Sequence, residues 1–265
     1  MSINKKHVFF IEGGDNVGKT TTIQTLKDST IIEECKYFRI VFSKYPRYEI
    51  TDTINVFMRE LKELEQKKSN SDITNWKYNN TKGELINSIM KLMIDDMEYS
   101  FKDGDETPYH TRYPDDILNI CDRGPLSTYL YQYRSLPGVP KIIIGDKREV
   151  EYLKSFFDKY ILTKETNNPM SIIILHNNAN PLTSSIIMDE TETIEYKKQF
   201  DHDVALQTRI NSSLNNIVGA IQNGTIDCIK GIKFNYINIF DETGRIRKSS
   251  YDICKEILSI INKEE

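Results

Sequence analysis

Three short stretches of this chain carry residues whose types and spacing suit phosphate chemistry. The first is "FFIEGGDNVGKTTT" (residues 9–22), where Gly13, Gly18, Lys19 and Thr20 satisfy the pattern G-x-x-x-x-G-K-[ST]. An apolar run precedes it and a helix-forming run follows. Glycines let backbone N–H groups converge on phosphate oxygens, and a helix N-terminus adds partial positive charge. Lys19 supplies a mobile cation for β- and γ-phosphates, and the Thr20 hydroxyl suits Mg²⁺. The candidate contacts to a donor ATP are therefore Gly13, Gly14, Asp15, Asn16, Val17, Gly18, Lys19, Thr20 and Thr21. Asp15 stands out as an acid inside a loop built for anions.

The second stretch, "ILNICDRGPLSTYLYQ" (117–132), places Asp122 and Arg123 at the C-terminal end of an expected strand, where open α/β sheets bind ligands. Asp122 can orient Mg²⁺ through water, and Arg123 can grip a phosphate with two parallel hydrogen bonds. The same pair can also do no more than cap the next helix. On that helix, residues 128, 131 and 132 share a face at i, i+3 and i+4. The third stretch is "KYPRY" (44–48), with Arg47 and Tyr48 beside a rigid proline.

The elements that must position these residues follow from periodicity. Short apolar runs at 7–12, 37–43, 117–122, 170–177 and 234–240 read as strands. Helical patterns cover 19–29, 49–64, 84–101, 125–135, 147–162, a stretch ending near 222, and 249–262. In 84–101 the apolar positions are 85, 86, 89, 92, 93 and 97. The polar, turn-rich segments 65–83 and 103–116 read as surface insertions. Strands alternating with helices imply right-handed crossovers and a parallel sheet covered on both faces. The expectation is a single α/β domain over 1–265, a three-layer α/β/α arrangement around a five-stranded parallel sheet.

Composition narrows the function classes. The 265 residues carry a net charge of −4 and are 38% hydrophobic, which disfavours a broad electrostatic grip on nucleic acid and suits a soluble fold. Four cysteines (35, 121, 228, 254) lie far apart without a C-x-x-C pair, arguing against zinc or a disulfide scaffold and for a reducing, cytoplasmic setting. No run approaches 18 apolar residues. A GTPase would add a D-x-x-G switch and an N-K-x-D base reader on later strand ends, and neither is in place.

Taken together, the stretches resemble the thymidylate kinase family of P-loop nucleoside-monophosphate kinases, in the manner of a divergent viral or phage member. "IEGGDNVGKTT" is similar to that family's E-G-x-D-x-x-G-K-[ST] loop. "DRGPLSTYLYQ" resembles its D-R-x-x-x-S-[ST]-x-x-Y-Q segment at Asp122, Arg123, Ser127, Thr128, Tyr131 and Gln132, and "YPRY" resembles its F-P-R-Y. The match covers residues 7–135; beyond them only element order agrees.

The resemblance implies transfer of the ATP γ-phosphate to dTMP with Mg²⁺ held near Thr20 and Asp122, and with Asp15, Lys19 and Arg123 catalytic. Asp15 would face the acceptor sugar at its 3′-hydroxyl. Arg47, Tyr48 and Arg123 would hold the acceptor phosphate, and Ser127, Thr128, Tyr131 and Gln132 would line its sugar and base pocket or serve in ordinary helix packing. A lid near 178–201 and a homodimer are implied too. In the loop after the last strand (240–249), Arg245 would stack on the adenine or lie in an exposed turn.

Two departures bear on substrate. Where the family carries a thymine-reading arginine on the third helix, this chain has Asp95 and Asp96, either on a solvated face or accepting hydrogen bonds from a base. Neither the phosphate loop nor the lid carries the family's arginine, leaving Lys197, Lys198, Arg209, Arg148 or Arg134 to supply that charge. The alternatives are therefore a kinase for another or modified deoxynucleoside monophosphate, a deoxynucleoside kinase, or a non-catalytic nucleotide-binding protein.

Overall fold

The computed structural model describes residues 6–14, 17–28, 30–34, 39–44, 48–101, 117–137, 139–140, 148–161, 170–176, 194–229, 231–241, 243–244 and 246–263. Five strands run parallel: β1 (Lys6–Gly13), β2 (Arg39–Lys44), β3 (Ile117–Asp122), β4 (Met170–His176) and β6 (Ile232–Asn238). A two-residue strand, β5 (Cys228–Ile229), adds antiparallel to the edge, giving the order β2-β3-β1-β4-β6-β5. The five expected strands are all present; β5 is too short to have left a pattern.

Alternation along β1 explains the three layers. Val8 and Phe10 face one cluster, with Ile172 and Ile174 of β4. Phe9 and Ile11 face the other, with Ile173 and Leu175. The second face is closed by α1 (Lys19–Asp28) and α7 (Ser250–Lys263), through Ile23, Leu26, Ile253, Ile257 and Ile261. The first is covered by α3 (Asn75–Phe101), α4 (Pro125–Tyr131), α5 (Glu149–Phe156) and α6 (Ile194–Gln222). Strands buried on both faces read as continuous apolar runs, as β1 and β4 do.

Residues 65–83 do not form the expected loop. The helix α2 (Tyr48–Ser69) runs through the first part of that segment, and α3 starts at Asn75. The turn between them closes with Asp72 N–H donating to Lys67 O at 2.9 Å, and the Thr74 hydroxyl accepts from Lys77 N–H at 3.3 Å as an N-cap. The stripe Ile54, Phe57, Leu61 and Leu64 packs inward, then the helix passes beyond the core and carries only polar residues. A polar face toward solvent looks like a loop in sequence. The tip is tied by Lys82 Nζ and the Tyr78 hydroxyl, each donating to Glu65 Oε1 at 2.6 Å.

On α3, Ile86, Ile89, Met90, Met93 and Ile94 are buried within the chain, so this apolar face belongs to the core. The insertion near 103–116 and the lid residues 178–193 lie outside the described residues. Among the described residues no helix is long and apolar enough to cross a membrane.

Register sets the site. Lys44 and Ile11 both stand opposite Asp122, Gly13 opposite Leu175, and His176 opposite Asn238. The C-terminal ends of all five parallel strands therefore meet along one edge, the edge where ligands bind in open α/β sheets.

Candidate active site

The phosphate loop leaves β1 at Gly13, whose φ of 144° and close approach to Leu175 both demand glycine. A Cβ there would stand 2.4 Å from the Leu175 carbonyl oxygen. Gly18 also has positive φ, 88°. Lys19 opens α1 and folds back over the loop: its ammonium donates to Gly13 O at 3.1 Å and Gly14 O at 2.6 Å. Thr20 and Thr21 are exposed at the first turn of α1, and Val17 is buried beneath the loop. Asp15 and Asn16 lie outside the described residues.

The second pole comes within reach of the first. The Thr20 hydroxyl donates to Asp122 Oδ2 at 3.4 Å. Asp122 is 8% exposed, and its other oxygen, Oδ1, is buried with no hydrogen-bond partner. A hydroxyl and a carboxylate with an unsatisfied buried oxygen, set beside the phosphate loop, form an oxygen donor pair that fits Mg²⁺, a hard cation completing its shell with water and phosphate. Among the described residues no cluster of three or more His, Cys, Asp or Glu offers another metal site.

Arg123 follows with φ of 72°, an uncommon conformation for a residue with a side chain. It is held by its own N–H, which donates to Ile11 O at 3.1 Å. Its guanidinium lies 5.8 Å from the centre of the Tyr131 ring. Tyr131 and Gln132 are half-buried, and the side-chain oxygen of Gln132 is buried without a partner. Arg123, Tyr131 and Gln132 thus lie together beyond the end of β3, with the Arg123 guanidinium over the Tyr131 ring.

Ser127 and Thr128 do not line a pocket. The Ser127 hydroxyl donates to Glu12 Oε2 at 2.5 Å, and Thr128, with no exposed surface, donates to its own helix at Gly124 O, 3.4 Å. The i, i+3, i+4 spacing put 128 with 131 and 132 correctly, but Thr128 sits on the buried side of that stripe. For Asp96, one of the two sequence readings falls away. It is 2% exposed, not on a solvated face, while Asp95 beside it is half-buried.

Of the cations that could have served a transferring phosphate, Arg134 is removed. Its side chain is 1% exposed and pairs with Glu149 Oε2 at 3.2 Å. Arg209 and Arg148 are exposed on α6 and just before α5, the latter 6.0 Å from the Tyr152 ring centre. Arg47, Arg245 and the side chains of Tyr48, Lys197 and Lys198 lie outside the described residues.

Three neighbours of the loop, Arg247, Asn211 and Glu12, escaped sequence reasoning. The Arg247 guanidinium is so close to Gly18 that a Cβ there would be 2.7 Å from its Nη2. Arg247 pairs with Phe240 in an isolated antiparallel bridge, which holds this part of the 240–249 loop beside the phosphate loop. The Asn211 side-chain oxygen crowds Gly14 in the same way, at 2.7 Å. One turn further along α6, Asn215 contacts His176 Nε2 at 2.6 Å at the end of β4.

The last is Glu12, a charged residue inside an apolar strand and fully buried. Its Oε1 accepts from Leu126 N–H at 3.0 Å and Ser127 N–H at 3.2 Å. Burial pushes its carboxyl up to about 7, against the lowering effect of the hydrogen bonds from Ser127, the Lys19 charge and the Leu126 amide. An acid closing the run "HVFFIE" was the available signal.

No protein-family model and no curated protein matches the chain. Among solved structures it is similar to a thymidylate kinase from Ehrlichia chaffeensis, with 16% identity covering 97% of this chain and 99% of that one, TM-score 0.45. It is also similar to EHV4-TK complexed with TP4A, with 8% identity covering 97% and 91% respectively, TM-score 0.50. At these identities the likeness is one of fold alone, a three-layer α/β arrangement around a mostly parallel sheet.

Proposed function

We propose that the protein is a deoxynucleoside-monophosphate kinase that transfers the γ-phosphate of ATP to dTMP. The observation that carries this is the meeting of two poles at one sheet edge. The Lys19 loop and Thr20 lie on one side, Asp122 and Arg123 on the other, joined by the 3.4 Å Thr20–Asp122 contact. Lys19 draws charge from the donor phosphates, Arg123 fixes the acceptor phosphate, and Tyr131 and Gln132 flank the acceptor. Mg²⁺ held by Thr20 and Asp122 would neutralise charge between the donor phosphates when bound. An acceptor phosphate oxygen is already anionic, so alignment and charge neutralisation suffice without a general base. Asp15, Arg47 and Tyr48 enter on sequence resemblance alone, as acceptor contacts, and Arg245 as a contact to adenine. A homodimer and a cytoplasmic setting belong to the same reading.

A second reading is favoured by buried Asp96. An ionised carboxylate accepts hydrogen bonds and pairs with an amino-bearing base better than with the oxygen at thymine C4. The likeness to EHV4-TK is one of fold and does not choose between acceptors; the "KYPRY" cations Lys44 and Arg47 favour a phosphate-bearing one over a nucleoside. A coupled ADP-release assay across dTMP, dUMP, dCMP, dGMP and dAMP decides. Turnover led by dTMP is expected. A lead for dCMP, dGMP or dAMP selects the second reading, and transfer to none of them overturns both.

A further inference from the structure

We infer that Glu12 is a positioning residue that couples the phosphate loop to the acceptor-side helix α4. This rests on the phosphoryl-transfer reading and adds a group to which that reading assigns no part. Helix α4 begins at a glycine N-cap, Gly124, which makes no side-chain cap, and it has Pro125 at its first position. Its first-turn N–H groups would be orphans in an apolar surround. Glu12 reaches across from β1 and satisfies them, with Leu126 N–H, Ser127 N–H and the Ser127 hydroxyl all donating to one carboxylate.

The neighbouring residue repeats the tie, because Ile11 O accepts from Arg123 N–H. Residues 11 and 12 therefore hold 123, 126 and 127. Residues 13 and 14, next along the chain, are held by the Lys19 ammonium. A shift of the phosphate loop is passed through one residue of backbone to Arg123 and to the helix bearing Tyr131. Among the leading influences on Glu12, the charged one is Lys19. The tie survives either protonation state. When the carboxyl is neutral, Oε1 still accepts both N–H groups and the acid proton is donated to the Ser127 hydroxyl, reversing that bond. Glutamine reproduces this pattern with its amide, whereas alanine removes it.

The test compares Glu12→Gln, Glu12→Ala and Ser127→Ala by steady-state kinetics, ATP calorimetry, and hydrogen exchange of residues 125–132. For Glu12→Ala the acceptor kcat/KM should fall by about 30-fold or more while the ATP Kd moves by less than about 3-fold. Glu12→Gln should stay within about 3-fold of the parent, and Ser127→Ala should fall between them. ATP should slow exchange in 125–132 in the parent and in Glu12→Gln, and not in Glu12→Ala. A lowered Tm with unchanged kinetics well below it would overturn the inference, as would Glu12→Gln matching Glu12→Ala. If the parent transfers phosphate to no acceptor, the kinase reading falls and exchange decides alone: an equal response to ATP in parent and Glu12→Ala overturns the coupling. Should Glu12→Ala not fold, the same exchange comparison is made with Ser127→Ala, whose response must be weaker than the parent's.

Discussion

Glu12 shows how a single buried acid ties pH to stability. Its folded carboxyl titrates near 7, above the ordinary 4.5, because burial penalises the charged form more than hydrogen bonds and Lys19 restore it. The folded state therefore holds a proton that the unfolded chain has released between those two values. The stabilisation is fully present below about pH 4.5 and is lost as pH rises through about 7, at about 1.4 kcal/mol per pH unit and roughly 3 kcal/mol in all. Glu12→Gln cannot titrate, so the stability difference between parent and variant should change by that order between pH 5 and pH 8. Urea denaturation followed by circular dichroism measures it. A pH-independent difference would show that the group titrates alike in both states.

At the level of elements, the junction of β3 with α4 is fixed by close approach. Gly124 is extended (φ 177°), a conformation open to any residue, but a Cβ there would lie 2.2 Å from the Phe10 ring. Phe10 is itself locked between β3 and β4 with 1% exposure, so the ring cannot yield freely. Gly124→Ala should cost about 1–3 kcal/mol by overpacking and displace Arg123 with it. Urea midpoints with unchanged m-values would register the cost, and a raised acceptor KM would register the displacement. An unperturbed variant would mean that β3 and α4 can part without consequence.

Strands, phosphate loop and strand-end Asp-Arg pair were legible in the sequence because burial on two faces leaves apolar runs, and because glycine and lysine spacing has few other uses. The helix through 65–69 and 75–83 was not legible, since an element that leaves the core loses its apolar stripe while keeping its backbone bonds. Nor could spacing tell that Thr128 turns inward while Tyr131 stays half-open. Which side of a shared helical stripe is buried is decided by what α3 and β1 bring against it. Arg247 was missed for the same kind of reason, because its place beside Gly18 is set by an isolated bridge to a partner, Phe240, seven residues away.

Across the whole molecule, α6 links the phosphate loop to the buried cluster that braces α4. Asn211 lies against Gly14 of the phosphate loop, Asn215 holds His176 at the end of β4, and Ser213 on the opposite side of the helix donates to Glu149. Glu149 also accepts from the Tyr129 hydroxyl on α4 and from Arg134 just beyond it, so one buried carboxylate links α4, α5 and α6. Burial and the Glu149 charge push the Tyr129 hydroxyl far above its ordinary range, which keeps it a donor throughout. Arg134 is the vulnerable partner. Two of its nitrogens, Nε and Nη1, are already buried without a hydrogen bond, and its remaining support is Glu149 and the Tyr152 ring at 4.8 Å.

Glu149→Ala should therefore cost about 3–5 kcal/mol, because it strands a guanidinium in the core. Arg134→Leu combined with Glu149→Leu should cost less than Glu149→Ala alone, since no unpaired charge is left behind. Circular dichroism is the right probe, as Trp76, the one tryptophan, is 74% exposed at the hairpin tip and reports little of the core. If the double replacement proved worse than Glu149→Ala, the cluster would be held by shape and its hydroxyl bonds, and charge pairing would not govern how α4 is braced against α6.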